Sequence, residues 1–306
     1  METLYLTHPA CRLHDMGDWH PESPQRLDAI SDQLVASGLM NFLDAEHAAA
    51  ATRAQIERVH DPEYVAGLFA HTGDAIRTID SDTLQGPHTL SAALHAAGAA
   101  VAGVDAVMRG RAQTAFCAVR PPGHHAGRRQ AMGFCFFNNI AVAAQYAIDA
   151  YGLRRVAIID FDVHHGNGTE EIFAGDPKVL MCSFFQHPFF PHSGAEPLAE
   201  NMLNVPVPAY CTGATIREVV AEQWLARLDA FAPELVLVSA GFDAHREDEM
   251  GQLGLVESDF AWLTEQIVAL ADRHAKGRIV SILEGGYSLS ALGRSVVAHV
   301  RSLAKL

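Results

Sequence analysis

The sequence contains no CxxC pair. Its five cysteines, Cys11, Cys117, Cys135, Cys182 and Cys211, are odd in number and scattered. That pattern excludes a disulfide scaffold and a cysteine-based zinc site, and fits reduced thiols in a cytoplasmic protein. Positive charge is scarce: 22 Lys and Arg stand against 36 Asp and Glu, giving a formal net charge of -14. Nucleic acid and anionic lipid would be repelled, so neither is an expected partner. No apolar run approaches the length of a membrane span. The opening Met1-Glu-Thr-Leu-Tyr-Leu-Thr-His8 has neither a basic stretch nor a long apolar one, so no targeting segment is expected. No low-complexity linker or repeat divides the chain, and residues 1–306 are read as one domain.

What is present is a composition 49% hydrophobic and only 19% charged, enough for a sizeable core. Short apolar runs recur at Leu4–Thr7, Ala115–Val119, Val156–Phe161, Val179–Phe184, Leu235–Ser239 and Ile279–Leu283. Most are apolar on both faces, as in strands buried inside a parallel sheet. Helix-like stretches lie between them: Ser91–Met108, Ile140–Ala150, Thr215–Phe231, Ser258–His274 and Leu289–Leu303. The alternation predicts an α/β fold, an open sheet covered by helices on both faces.

Polar residues cluster where the strands end. Arg120-Pro-Pro-Gly-His124-His125 follows one run and Asp160-Phe-Asp162-Val-His164-His165-Gly-Asn167 the next. Two others lead into Gly241-Phe-Asp243 and Glu284-Gly-Gly-Tyr287. In an open α/β sheet the carboxyl ends of the strands form the ligand crevice, so four segments deliver His, Asp and Tyr to one place. Asp162 and His164, two apart, share a side in extended chain. With Asp243 they make an O, N, O ligand set for a divalent metal with a position left open for substrate. Asp160 shares that side and supplies an acceptor to hold a histidine nitrogen. One of His124 and His125 can serve as general base toward water and then as acid toward the leaving amine. Tyr287, after two glycines, can donate to a developing oxyanion. An isolated Asp-x-Asp-x-His is as often a turn or a solvated face. The apolar strand before it makes these carboxylates buried, and buried carboxylates need a partner.

The chain resembles the histone deacetylase family, specifically its class II branch and the bacterial deacetylase-like amidohydrolases. The matching motifs are His20-Pro-Glu-Ser-Pro-Gln-Arg26, Arg120-Pro-Pro-Gly-His-His-Ala126, Gly133-Phe-Cys-Phe-Phe-Asn-Asn139, Asp160–Asn167, Gly241–Asp243 and Leu283–Ser288, in order across nearly the whole chain. The resemblance implies the arginase–deacetylase fold with an eight-stranded parallel sheet. It implies one zinc ion on Asp162, His164 and Asp243, with His125 as base and acid. His124, held by Asp160, would be an electrostatic partner; Asn167 would orient His125; Tyr287 would polarise the acyl carbonyl. Phe134, Phe190 and the Gly133 carbonyl would line a narrow channel for an acyl-lysine-like chain. A structural potassium would sit on Asp160, Asp162, His164 and Ser183. Asn167 matches class II, and the retained Tyr287 implies good activity. Relatives are commonly dimers or tetramers, so a homo-oligomer fits.

The expected reaction is therefore hydrolysis of an acyl amide, releasing an amine such as lysine. Acetylated polyamines and small amides or esters suit the same chemistry. Polyamine-selective relatives place a glutamate in the loop after the Gly-Phe-Asp segment; alignment puts Met250 at that position, which favours acyl-lysine. Glu247, Asp248 and Glu249 precede it, and a one-residue slip would restore a carboxylate. A dimetal ureohydrolase would need carboxylates where Gly166 and Gly241 stand. A silent binding module would have lost a ligand, a histidine or the tyrosine, and none is lost.

Overall fold

The computed structural model describes residues 3–71 and 73–306. In chain order the first elements are β1 (Thr3–Thr7), α1 (Ala10–Leu13), α2 (Gln25–Ala36), β2 (Leu43–His47), α3 (Arg53–Ile56) and α4 (Pro62–Phe69). A short antiparallel pair, β3 (Arg77–Thr78) and β4 (Leu84–Gln85), leads to α5 (Thr89–Met108), β5 (Thr114–Cys117) and α6 (Asn139–Tyr151). Then come β6 (Val156–Asp160), α7 (Asn167–Phe173), β7 (Val179–Gln186) and β8 (Met202–Val207). The last part holds α8 (Gly213–Val219), α9 (Leu225–Phe231), β9 (Leu235–Ala240), α10 (Glu257–His274), β10 (Ile279–Leu283) and α11 (Leu289–Leu303).

The main sheet has eight strands in the order β2-β1-β5-β10-β9-β6-β7-β8, with every neighbouring pair parallel. Residues of β5, β6, β7, β9 and β10 are buried throughout, because helices cover both faces. Alternation along β10 shows the two layers. Val280 meets Gly103 of α5, and the next residue, Ser281, bonds His299 of α11 at 2.8 Å. His299 also bonds Thr264 of α10 at 2.6 Å, so one neutral imidazole ties both helices to the sheet. The eight parallel strands are those implied by the resemblance.

Three readings need correction. β2 and β8 were not among the apolar runs. Both are edge strands, and β2 reads Leu-Asp-Ala-Glu-His with every residue at least partly exposed. α5, at 20 residues, is apolar enough to cross a membrane. Its apolarity comes from packing between the sheet and helices α1 and α6, with 67% of its most apolar window buried. Thr215–Phe231 is not one regular helix: α8 and α9 are joined by a π turn over Val220–Trp224, where Trp224 is buried and stacks on Phe184. All five cysteines are free and buried.

Candidate active site

The four polar segments leave four consecutive strands, β5, β10, β9 and β6, at their carboxyl ends. They therefore meet across long stretches of chain, Gly123 and Glu284 being 161 residues apart in sequence. β6 stops at Asp160, so residues 161–166 are not extended strand, as alternation had assumed. Their irregular path is pinned by its own polar groups. Asp160 Oδ1 accepts from Asp162 N at 3.1 Å, Asp162 Oδ1 from His164 N at 2.8 Å, and Asp243 Oδ1 from Val163 N at 2.9 Å.

This path brings the expected ligands together. His164 Nδ1 lies 3.0 Å from Asp162 Oδ1 and 3.2 Å from Asp243 Oδ2, and one ligand atom from each residue falls within 4.8 Å of the others. All three are buried, yet Asp243 Oδ2 has no hydrogen-bond partner. Burial and the neighbouring Asp162 push the Asp243 carboxyl up to about 7. Two buried carboxylates beside one imidazole, with an acceptor unmet, form a donor set that suits a divalent cation.

The adjacent histidines have different partners. His124 Nδ1 is 2.9 Å from Asp160 Oδ2. Burial lowers its pKa, but Asp160, Asp162 and Glu284 outweigh that and raise it to about 10. His125 Nδ1 is 2.7 Å from Asn167 Oδ1. Burial, His124 and His164 hold it well below the usual imidazole range. An amide oxygen only accepts, so His125 carries its proton on Nδ1 and keeps a lone pair on Nε2. Glu284, quoted in a motif but given no task, accepts from Gly123 N at 2.7 Å and His124 N at 3.1 Å and so fixes the turn that carries both rings.

A cavity of ≈ 230 Å³ opens above these groups, lined by His125, His164, Tyr287, Gly133, Phe134, Phe190 and Met250. It also takes in Glu249, from the acidic run before Met250, together with Phe189 and Asp82, which sequence reasoning missed. Phe189 stacks on the His164 ring at 5.5 Å, while Phe190 meets His125 edge-on at 5.2 Å and Phe134 meets Tyr287 edge-on at 5.9 Å. Gly133 has φ 54°, and a Cβ there would come within 2.5 Å of His125, so only glycine lets the aromatic wall approach that ring so closely. The paired phenylalanines of Phe189-Phe190 were the available signal for the second ring; Asp82 lies in a loop whose pattern gives none.

The acidic run before Met250 divides. Glu247 pairs with Arg294 at 2.9 Å, Asp248 is buried, and Glu249 alone of the three lines the cavity. His165 turns away to bond Glu170 at 2.7 Å. Ser183 sits opposite Asp160 in the β6–β7 register, its hydroxyl 3.4 Å from Asn204 Oδ1. A Cβ at Gly166 would lie 2.4 Å from Asp160 Oδ2, and one at Gly241 2.0 Å from Asp162 Oδ2. Carboxylates for a second metal therefore have no room at either position.

Residues 20–303 match the histone deacetylase domain. The chain is 38% identical over 276 residues to the histone deacetylase-like amidohydrolase of Pseudomonas aeruginosa, covering 88% of this chain and 73% of that protein. It is 39% identical over 305 residues to polyamine deacetylase HDAC10 of Mus musculus, covering 92% of this chain but 44% of that longer protein. The crystal structure of the HDA15 HD domain matches with a TM-score of 0.94 at 33% identity, covering 99% of this chain and 88% of that one. Fold and site thus define an arginase–deacetylase-type hydrolase of acyl amides. The chain belongs to the histone deacetylase family.

Proposed function

We propose that the protein is a cytoplasmic, zinc-dependent deacylase of the class II type, a single catalytic domain that hydrolyses an acyl amide, with acyl-lysine as the preferred substrate class. The observation that carries this reading is the buried Asp162–His164–Asp243 group, with an unpartnered carboxylate oxygen, directly beneath an aromatic channel. Asp162, His164 and Asp243 would hold zinc, which supplies Lewis-acid polarisation of the acyl carbonyl and a lowered pKa for the attacking water. The neutral His125 takes the water proton on Nε2 and returns it to the leaving amine, while Asn167 keeps the ring in the required tautomer. His124, paired with Asp160, stays a fixed positive neighbour and does not shuttle protons. The Tyr287 hydroxyl donates to the acyl oxygen as charge develops there. Potassium would bind near Asp160, Asp162, His164 and Ser183 and stiffen the loop; the pairing of Asp160 with Ser183 across neighbouring strands supports that placement.

A cavity of ≈ 230 Å³ walled by Phe134, Phe189 and Phe190 suits an acyl-amine chain, and Met250 adds no charge of its own. A second reading, hydrolysis of an acetylated polyamine, is favoured by Glu249 and Asp82, two carboxylates able to meet a distal ammonium. Values of kcat/KM for an acetyl-lysine peptide, acetylputrescine and acetylspermidine separate the two. A preference of about a hundredfold for a polyamine, about 2.7 kcal/mol, would replace the first reading with the second. Asp243→Ala tests the centre itself: the variant should lose both zinc stoichiometry and turnover, and retention of both would remove Asp243 from the ligand set.

A further inference from the structure

The turn that carries Tyr287 has little stiffness of its own, since it follows Gly285 and Gly286, the latter at φ 118°. Outside groups hold it. Arg26 donates from Nε to the Gly286 carbonyl at 2.6 Å and from Nη2 to the Glu284 carbonyl at 2.5 Å. Its guanidinium lies 4.8 Å over the Tyr287 ring. Those contacts fix the carbonyl side of the turn. The amide side is met by Asp248, whose Oδ2 accepts from Tyr287 N at 2.6 Å and from Ser288 N at 2.9 Å.

Asp248 is 5% exposed, and its other oxygen accepts from Met250 N at 3.0 Å. Ser288 is the N-cap of α11 and makes no side-chain cap bond of its own. Asp248 thus brings a carboxylate from a distant segment to the amides at the start of a 15-residue helix, where donors are unmet and negative charge is favoured. One side chain therefore joins three things: the start of α11, the backbone of Tyr287 and the loop that presents Met250 at the cavity wall.

We propose that Asp248 is a positioning residue for Tyr287, holding its hydroxyl in register with the acyl oxygen and tying that register to the Met250 wall. The inference rests on Tyr287 acting as proposed above. Asp248→Asn breaks the arrangement with little change of shape. An amide carries an acceptor on one end only, so either Met250 N or the Tyr287 and Ser288 amides would face an NH₂ group. A displacement of about 1 Å at a reacting group can cost on the order of a hundredfold.

The test is a double-mutant cycle on the zinc-loaded full chain with an acetyl-lysine peptide. Asp248→Asn should lower kcat by roughly tenfold to a hundredfold, change KM by less than about threefold, and leave zinc content intact. In the Tyr287→Phe background the same change should cost less than about threefold, because the group it positions is already gone. Equal losses in both backgrounds would overturn the proposal alone. An unchanged kcat for Tyr287→Phe by itself would remove Tyr287 from the mechanism, and this inference with it. Asp248→Glu keeps a carboxylate and should recover part of the lost kcat. If Asp248→Asn fails to fold, the cycle is run with Asp248→Glu. Failure of both variants to fold would overturn the proposal, since the carboxylate would then serve stability.

Discussion

At the floor of the crevice His124, His125 and His164 each have a side-chain partner within 3.0 Å, the buried Asp160 and Asp162 for His124 and His164 and the half-buried Asn167 for His125, and the rings cannot turn without breaking those bonds. At the mouth, Phe134, Phe189, Phe190 and Met250 offer surfaces only, and Asp82 and Glu249 add carboxylates. The floor must place protons and charge within fractions of an ångström, so it tolerates few residue types at few spacings. The mouth must only admit a shape, which many side chains can form. Reaction class is thus written into the floor, and substrate choice rests on weaker, more exchangeable contacts.

The contrast can be broken most directly at His125. His125→Ala should lower kcat by roughly a hundredfold to ten-thousandfold with zinc still bound, because the base is not a ligand. His124→Ala should cost less. Equal loss of zinc from both variants, measured by metal analysis, would mean that ligands and acid–base groups have been exchanged.

Tyr287→Phe comes next. It keeps the ring and removes one donor, a change that typically costs on the order of 100- to 1000-fold in kcat. KM should move little, since the bond matters most in the transition state.

A pH profile sharpens the floor further. His125 is held below its ordinary value of 6.5, and a general base works when unprotonated. kcat/KM should therefore stay level as pH falls to 6.5 and decline only below it. An acid limb centred above 6.5 would assign the base elsewhere.

The smallest effect belongs to the mouth. Glu249 is exposed, and an exposed ion pair contributes about 0.2–1 kcal/mol. Glu249→Gln should lower kcat/KM for acetylspermidine by no more than about fivefold and leave a neutral acetyl amide unaffected. A much larger loss would show that the mouth is as tightly built as the floor.

The central strands were legible because a strand buried on both faces leaves an uninterrupted apolar run, as Val156–Ile159 and Leu235–Val238 do. The edges were not: Leu43–His47 is mostly polar, and Met202–Val207 carries Pro206 and Asn204. The residues proposed as ligands and acid–base groups were legible because polar groups ending apolar runs stand out. Asp248 was not, because an acidic run looks the same whether it is solvated or, as here, has one member turned inward to cap a helix. The Asp162–His164 pairing was reached through an alternation that the backbone does not follow; loop hydrogen bonds bring the two side chains together instead.

The strand order has a bearing on biosynthesis. β9 and β10 follow β1 to β8 in the chain yet fill the centre of the sheet, between β5 and β6. Until they arrive, β2-β1-β5 and β6-β7-β8 are two separate three-stranded pieces with open edges. One carries the turn to His124 and His125; the other carries Asp162 and His164. Such edges invite pairing with other chains. A nascent chain that has not yet reached β9 therefore exposes more open edge than the finished sheet, and the crevice is complete only once β9 and β10 are in place.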